Sequence, residues 1–242
     1  MAHRVVISTA SSAMQHKLLA PRRRFRAALL VIALLGASTV GANAEGDEFS
    51  TNLQLLVAVR HGDAGAIDRA LHDGASVNFR NRLGETPLLA VLKKKRFDLA
   101  QSLLDRGADV NEAAINGVTP LMAASYAGNA EFVRKLLDKG ADASPVDRVG
   151  KTAMTYAAGE GHTEIVKLLV AHGVDPNAVY RNNLTALMWA AGYGQTDTVR
   201  ALLDAGARSD FVDDRGKTAL DMARDYKHQQ TVAVLQAATS RH

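Results

Sequence analysis

In the stretch "LMAASYAGNAEFVRKLLDKG", residues 121–140, Phe132, Val133, Leu136 and Leu137 fall at the i, i+1, i+4, i+5 spacing that gathers apolar side chains on one flank of a helix. The residues around this stripe supply the punctuation. Thr119 can satisfy an early backbone N–H, and Pro120 suits the first helical position because its missing N–H had no partner there. The small residues of "LMAASYAG" predict a short first helix, which Gly128-Asn129 breaks. Lys139 falls in the last turn of the second helix, where its charge complements the dipole, and Gly140 fits the left-handed residue that ends it. Residues 117–149 thus predict a pair of short helices.

The same pattern returns on a fixed ruler. "GETPLLA", "GVTPLMA", "GKTAMTY", "NLTALMW" and "GKTALDM" begin at Gly84, Gly117, Gly150, Asn183 and Gly216, 33 residues apart. The closing glycines Gly74, Gly107, Gly140, Gly173 and Gly206 keep the interval, as do Leu103-Leu104, Leu136-Leu137, Leu169-Val170 and Leu202-Leu203. A helix pair with one apolar flank is too small to bury that flank alone, so the period predicts a stack in which neighbours cover each other. Asn183 stands in a glycine slot, which asparagine tolerates because it accepts positive φ better than most residues. The end units are abbreviated, as a stack requires. The first keeps Leu55, Ile67, Leu71 and Gly74 in phase without the opening motif, and the last keeps Val232 and Leu235 without the Gly-Ala-Asp ending.

"GVTPLMAA", "GHTEIVKLLV" and "LLDRGADVN" together resemble the ankyrin repeat, and the likeness runs over residues 51–240. The resemblance implies an all-α repeat solenoid of antiparallel helix pairs, with a protruding β-hairpin turn between units. Six units are expected: an N-terminal cap at 51–81, four full repeats over 82–213, and a C-terminal cap at 214–240. One departure concerns the family's Thr-Pro-Leu-His motif. Leu89, Met122, Thr155, Met188 and Asp221 stand in its histidine position, which removes the side chain on which the family's hydrogen-bond chain along the stack depends.

An apolar content of 47% is enough for a packed core. The net charge of +4 suggests nucleic acid until it is located along the chain. Residues 1–44 carry Arg4, Lys17, Arg22, Arg23, Arg24 and Arg26 and no acid, so the remaining 23 cations face 25 acids. The body therefore exerts no general pull on phosphate backbones, and no nucleic-acid partner is expected. The leader itself has the order of a secretory signal peptide: "RRRFR" at 22–26, an apolar run at 27–40, and Ala42-Asn43-Ala44 before a cut at Glu45. A linker is expected at 45–50. The apolar run is shorter than the roughly 20 residues of a spanning helix, so no permanent membrane span is expected after cleavage. Arg22-Arg23 fits the core of a twin-arginine pattern whose flanks are missed, which favours general secretion. The depth of the leader leaves Met14 open as the start. With no cysteine, an exported chain must be stable by packing alone, and a bacterial periplasm is the expected destination.

Enzyme chemistry finds little support. HExxH, Walker and GxSxG motifs are missing, and no thiol is available. No catalytic residue, cofactor or metal site is expected. His162 occupies the resembled family's own "GH" slot, read as structural, and His172 lies at a helix end, where its charge suits the dipole. A hydrolase built on an acid and histidine pair is the competing class.

The resemblance implies that partners are met by hairpin tips and by the inward face of the first helices. By register the tip contacts are Arg82 and Glu85, then Asn116, then Arg148 and Lys151, then Arg181 and Asn182, and finally Arg215 and Lys217. The helix contacts are Lys93, Lys94, Tyr126, Glu160, Tyr193 and Tyr226. Trp189 is expected to pack inward. The run Lys93-Lys94-Lys95-Arg96 is expected on a helix, as a solvated face or as the complement of an acidic patch on a partner. The reading is a monomeric, non-enzymatic scaffold of the cell envelope that binds another protein. The alternatives are an auxiliary or inhibitory subunit of an envelope enzyme, or a secreted effector.

Overall fold

The computed structural model describes residues 42–239, and within them the 33-residue ruler becomes two rows of helices. The first helices of the units are α1 (Ala42–His61), α3 (Pro87–Lys93), α5 (Pro120–Ala127), α7 (Ala153–Glu160), α9 (Ala186–Gly192) and α11 (Ala219–Asp225). The second helices are α2 (Ala64–His72), α4 (Phe97–Asp105), α6 (Ala130–Asp138), α8 (Thr163–Ala171), α10 (Thr196–Asp204) and α12 (Gln229–Thr239). Each first helix packs on its own partner and on the next first helix, while α6, α8, α10 and α12 stack in a parallel row. The all-α solenoid expected from the sequence is the observed architecture.

Helix starts are fixed by threonine. At Thr86, Thr119, Thr152, Thr185 and Thr218 the hydroxyl accepts the N–H three residues on, at 3.2–3.3 Å. Two of the positions that lack histidine join these caps. Thr155 and Asp221 reach back to the backbone N–H of Thr152 and Thr218. The other three, Leu89, Met122 and Met188, are at most 1% exposed. The departure is thus absorbed by capping in two units and by apolar packing in three.

The second helices end as expected. Gly140 has φ 82°, and the Ala141 N–H closes back on Leu136 O at 2.9 Å. A Cβ on Gly140 would meet no atom within 4 Å, so the dihedral alone selects glycine.

Two expectations are corrected. The basic run leaves the helix after its first residue: α3 ends at Lys93, Lys94 caps it, Lys95 turns left-handed at φ 58°, and Arg96 is the N-cap of α4. Stacking fixes the length of α3 to that of its sisters, so Lys95 must adopt the conformation that glycine takes at 128 and 161. Residues 45–50 are not a linker but part of α1. Nothing in "EGDEFS" stops a helix, and acids near an N-terminal end favour one. The cut expected before Glu45 falls in the first turn of α1, and the rest of the leader lies outside the described residues.

Between units the chain makes tight hairpin turns. Gly84 N–H bonds Asn81 O at 2.8 Å and Asn81 N–H bonds Glu85 O at 3.0 Å, the signature of a three-residue loop closed by a left-handed residue. The pattern recurs at 114–118, 147–151 and 213–217. At the fourth turn Asn182 (φ 61°) and Asn183 (φ 55°) are both left-handed, and Tyr180 N–H still bonds Leu184 O at 2.9 Å. Two asparagines do there what a single glycine does elsewhere, and the array stays in phase. Among the described residues the β-character of these turns is limited to one isolated bridge, Val179 to Thr185.

Candidate interaction surface

The first helices carry an aromatic ridge that crosses three units. Tyr126 meets Tyr156 edge to face, with centroids 5.7 Å apart. Trp189 stacks on Tyr193 at 6.0 Å with an interplanar angle of 14°. Lys151 joins the two pairs: its Nζ lies 4.3 Å from the Trp189 ring centroid and 5.1 Å from that of Tyr156. Stacking of the units builds this group, since Tyr126 and Tyr156 are 30 residues apart along the chain and Lys151 and Trp189 are 38 apart.

Asp147 anchors the ridge to the hairpin. Its Oδ1 accepts the N–H of Val149 at 3.0 Å and of Lys151 at 2.9 Å, and its Oδ2 accepts the Tyr156 hydroxyl at 2.6 Å. Burial, together with donation to this carboxylate, pushes the Tyr156 phenol well above its usual pKa. The phenol therefore stays protonated and holds its ring in place. Asn81 and Asp213 grip their own turns in the same way, each accepting two backbone N–H groups.

The predicted contact residues divide into three kinds. Tyr126, Tyr193 and Tyr226 are exposed, at 52%, 57% and 57%. Tyr226 stands apart from the ridge and stacks on His228. Arg82, Arg148 and Glu160 are also exposed and form no ion pair among the described residues. A second kind is spent within the chain. Lys93 pairs with Glu85 at 2.5 Å, Arg215 with Asp213 at 2.8 Å and Lys217 with Asp225, while Lys94 donates to the Arg60 carbonyl. Burial alone would raise the Glu85 pKa, but Lys93 and Asn81 hold it below the usual range. A third kind builds turns. Asn116 O accepts the N–H of Arg148 at 2.9 Å, Asn182 O that of Asp214 at 3.2 Å, and the Arg181 guanidinium reaches Arg148 O at 3.4 Å.

Trp189 is half-buried rather than sealed in the core. It follows its register into the stack, but its six-membered edge is too long for a slot that holds alanine in two sister units, so it extends into the ridge. Tyr156 and Asp147 were missed as members of the site. The available signal was the recurrence of Asn or Asp at 81, 147 and 213.

The histidines serve the stack. The His162 ring lies over Gly128, where a Cβ would stand 2.5 Å from Cε1, and its Nε2 is 3.2 Å from Tyr126 O. His228 repeats this against Gly192 O at 3.1 Å, and Gln195 against Gly159 O at 3.1 Å. His172 Nδ1 bonds the helix-end carbonyl of Leu168 at 2.8 Å.

These features define a class: a scaffold of stacked helix pairs, uniform in its threonine caps and closing glycines and variable in its exposed side chains. The sequence profile described as ankyrin repeats matches residues 55–147, 89–180, 140–210 and 173–240, and the chain belongs to the ankyrin-repeat family. Ankyrin repeats are generally protein–protein interaction modules, typically without catalytic activity of their own. Comparison with curated proteins finds no match. None of the described helices is long and apolar enough to cross a membrane.

Proposed function

We propose that this chain is a non-enzymatic scaffold of the cell envelope that binds one protein partner through the ridge of Tyr126, Tyr156, Lys151, Trp189 and Tyr193 and the neighbouring tip arginines. The observation that carries the reading is the contiguity of exposed aromatic area across three units, anchored from beneath by Asp147. Aromatic side chains combine large contact area with few rotatable bonds and dominate binding hot spots. A preorganised ridge loses little conformational entropy on docking. Arg82 and Arg148, which form no ion pair among the described residues, favour a partner that is acidic where it meets the tips. Export rests on the order of the leader and would place the array in the periplasm as a monomer.

The test is crosslinking in intact cells, identification of the captured protein, and its titration against purified chain. Replacing Tyr126 and Tyr193 together by alanine is expected to weaken binding at least tenfold, because a hot-spot side chain contributes roughly 2 kcal/mol. Both rings are half exposed, so the melting temperature should hold. Binding that survives this pair of changes would refute the ridge. Sequencing of the mature N-terminus checks export, with Glu45 expected first.

A further inference from the structure

The long loops that follow the second helices are laced together by asparagines. Asn111 Oδ1 accepts the N–H of Asp142 at 2.8 Å while its Nδ2 donates to Gly140 O at 3.1 Å. Asn177 does the same with Arg208 N–H at 2.8 Å and Gly206 O at 3.0 Å, and Asn78 accepts the N–H of Asp109 at 2.8 Å. A backbone bond joins the same loops at their tips: Ile115 N–H to Leu83 O, Arg148 N–H to Asn116 O and Asp214 N–H to Asn182 O, at 3.0, 2.9 and 3.2 Å.

One junction departs from this in both respects. Between the loop after α6 and the loop after α8, the asparagine position is Ser144, whose hydroxyl donates to Asp142 at 2.9 Å. At the tip, the Arg181 side chain takes over from the backbone bond, at the longer distance of 3.4 Å. A groove of about 580 Å³ lies between these two loops, with Asp142, Ser144, His172, Gly173, Asp175 and Tyr180 on its walls. By register, Asp175 N–H and Gly173 O correspond to the pair that grips the carboxamide of Asn111 one unit earlier. Neither group bonds to another protein group among the described residues.

We infer that this groove binds a primary carboxamide, the side chain of an asparagine or glutamine on an extended partner polypeptide. The adjacent N–H donor and C=O acceptor select it. A carboxylate would place its charge against Gly173 O and between Asp142 and Asp175, and an ammonium or guanidinium has no acceptor for Asp175 N–H. Leu137, Ala141 and Val174 line the same groove and offer apolar contact to the residues flanking the carboxamide, which a free small amide would not use. None of the aromatic ridge residues lines the groove, so this site stands independently of the proposed scaffold role.

The test follows the amide resonance of Asp175 in the isotope-labelled full chain during titration with acetyl-Gly-Asn-Gly-methylamide. Saturable movement is expected with this peptide, and none with the Asp or Ala analogues. Ser144→Asn supplies the carboxamide from within and should weaken the response at least tenfold, whereas Ser144→Ala should keep it. Equal response to the Ala peptide, or an undiminished response in S144N, would overturn the proposal. So would saturation by propionamide with no response to the Asn peptide, which would place the specificity with free amides. Should S144N fail to fold, the Asp and Ala peptides on the unaltered chain decide the matter.

Discussion

The junction at Ser144 also makes a measurable prediction about stability. Replacing Ser144 by asparagine restores the residue type found at 78, 111 and 177, in a loop whose left-handed Gly173 (φ 89°) and partner groups match those of its sisters. Two hydrogen bonds become available, one from Asp175 N–H and one to Gly173 O. Each contributes roughly 1 kcal/mol net. Against them stand the ordering of the asparagine side chain, about 0.5–1 kcal/mol, and the loss of the exposed bond from Ser144 to Asp142. The Ser144 backbone N–H keeps its bond to Asp142, as Asn111 and Asn177 keep theirs to Asp109 and Asp175. The balance is a gain of about 1 kcal/mol, or roughly 3 °C in melting temperature for an array of this length. Thermal and urea unfolding of the two chains, followed by circular dichroism, would measure it. The reverse change, Asn177→Ser, should cost a similar amount. An unchanged or lowered Tm for S144N, with N177S also neutral, would refute the claim that side-chain carboxamides lace these loops together.

Lys95 and Lys227 hold left-handed backbone at φ 58° and 62°, so Lys95→Gly should stabilise the array by about 0.5–1 kcal/mol in equilibrium unfolding. Burial would raise the Asp213 pKa, but the bonds from Lys217 and Arg215 outweigh it and leave the group below its ordinary value of 3.8. A depressed folded pKa contributes stability above the unfolded value that is lost as pH falls through the folded one, so the loss should begin below about pH 4. Asp213→Asn should fold, because Asn81 makes the same two backbone contacts, and should show less acid destabilisation between pH 4 and pH 2. Association with an acidic partner through Arg82 and Arg148 should slow as salt rises from 50 to 500 mM, which stopped-flow mixing would read.

The ruler, the helix pairs, the threonine caps and the closing glycines were legible because each rests on local chemistry: a hydroxyl within reach of an N–H three residues on, a stripe at helical spacing, a dihedral that glycine tolerates. The exposure of the tyrosines at 126, 193 and 226 was legible for a related reason, since register places them in two adjacent slots at the ends of the first helices. The ridge was not. Lys151 bridges Tyr156 and Trp189 only because α7 and α9 stack at one rise per unit, and nothing local to Lys151 records that. Which charges remain free was equally hidden, since Lys93 and Lys217 are taken up by acids eight residues away that only the turn geometry brings near. The loop conformation of Lys94 to Arg96 shows the same precedence. Local preference extends the helix through the lysines, but stacking against uniform neighbours fixes its length and leaves Lys95 to bear the strain. Periodicity thus specifies the units and their phase, while contact between units decides which side chains are spent within the array and which stay exposed.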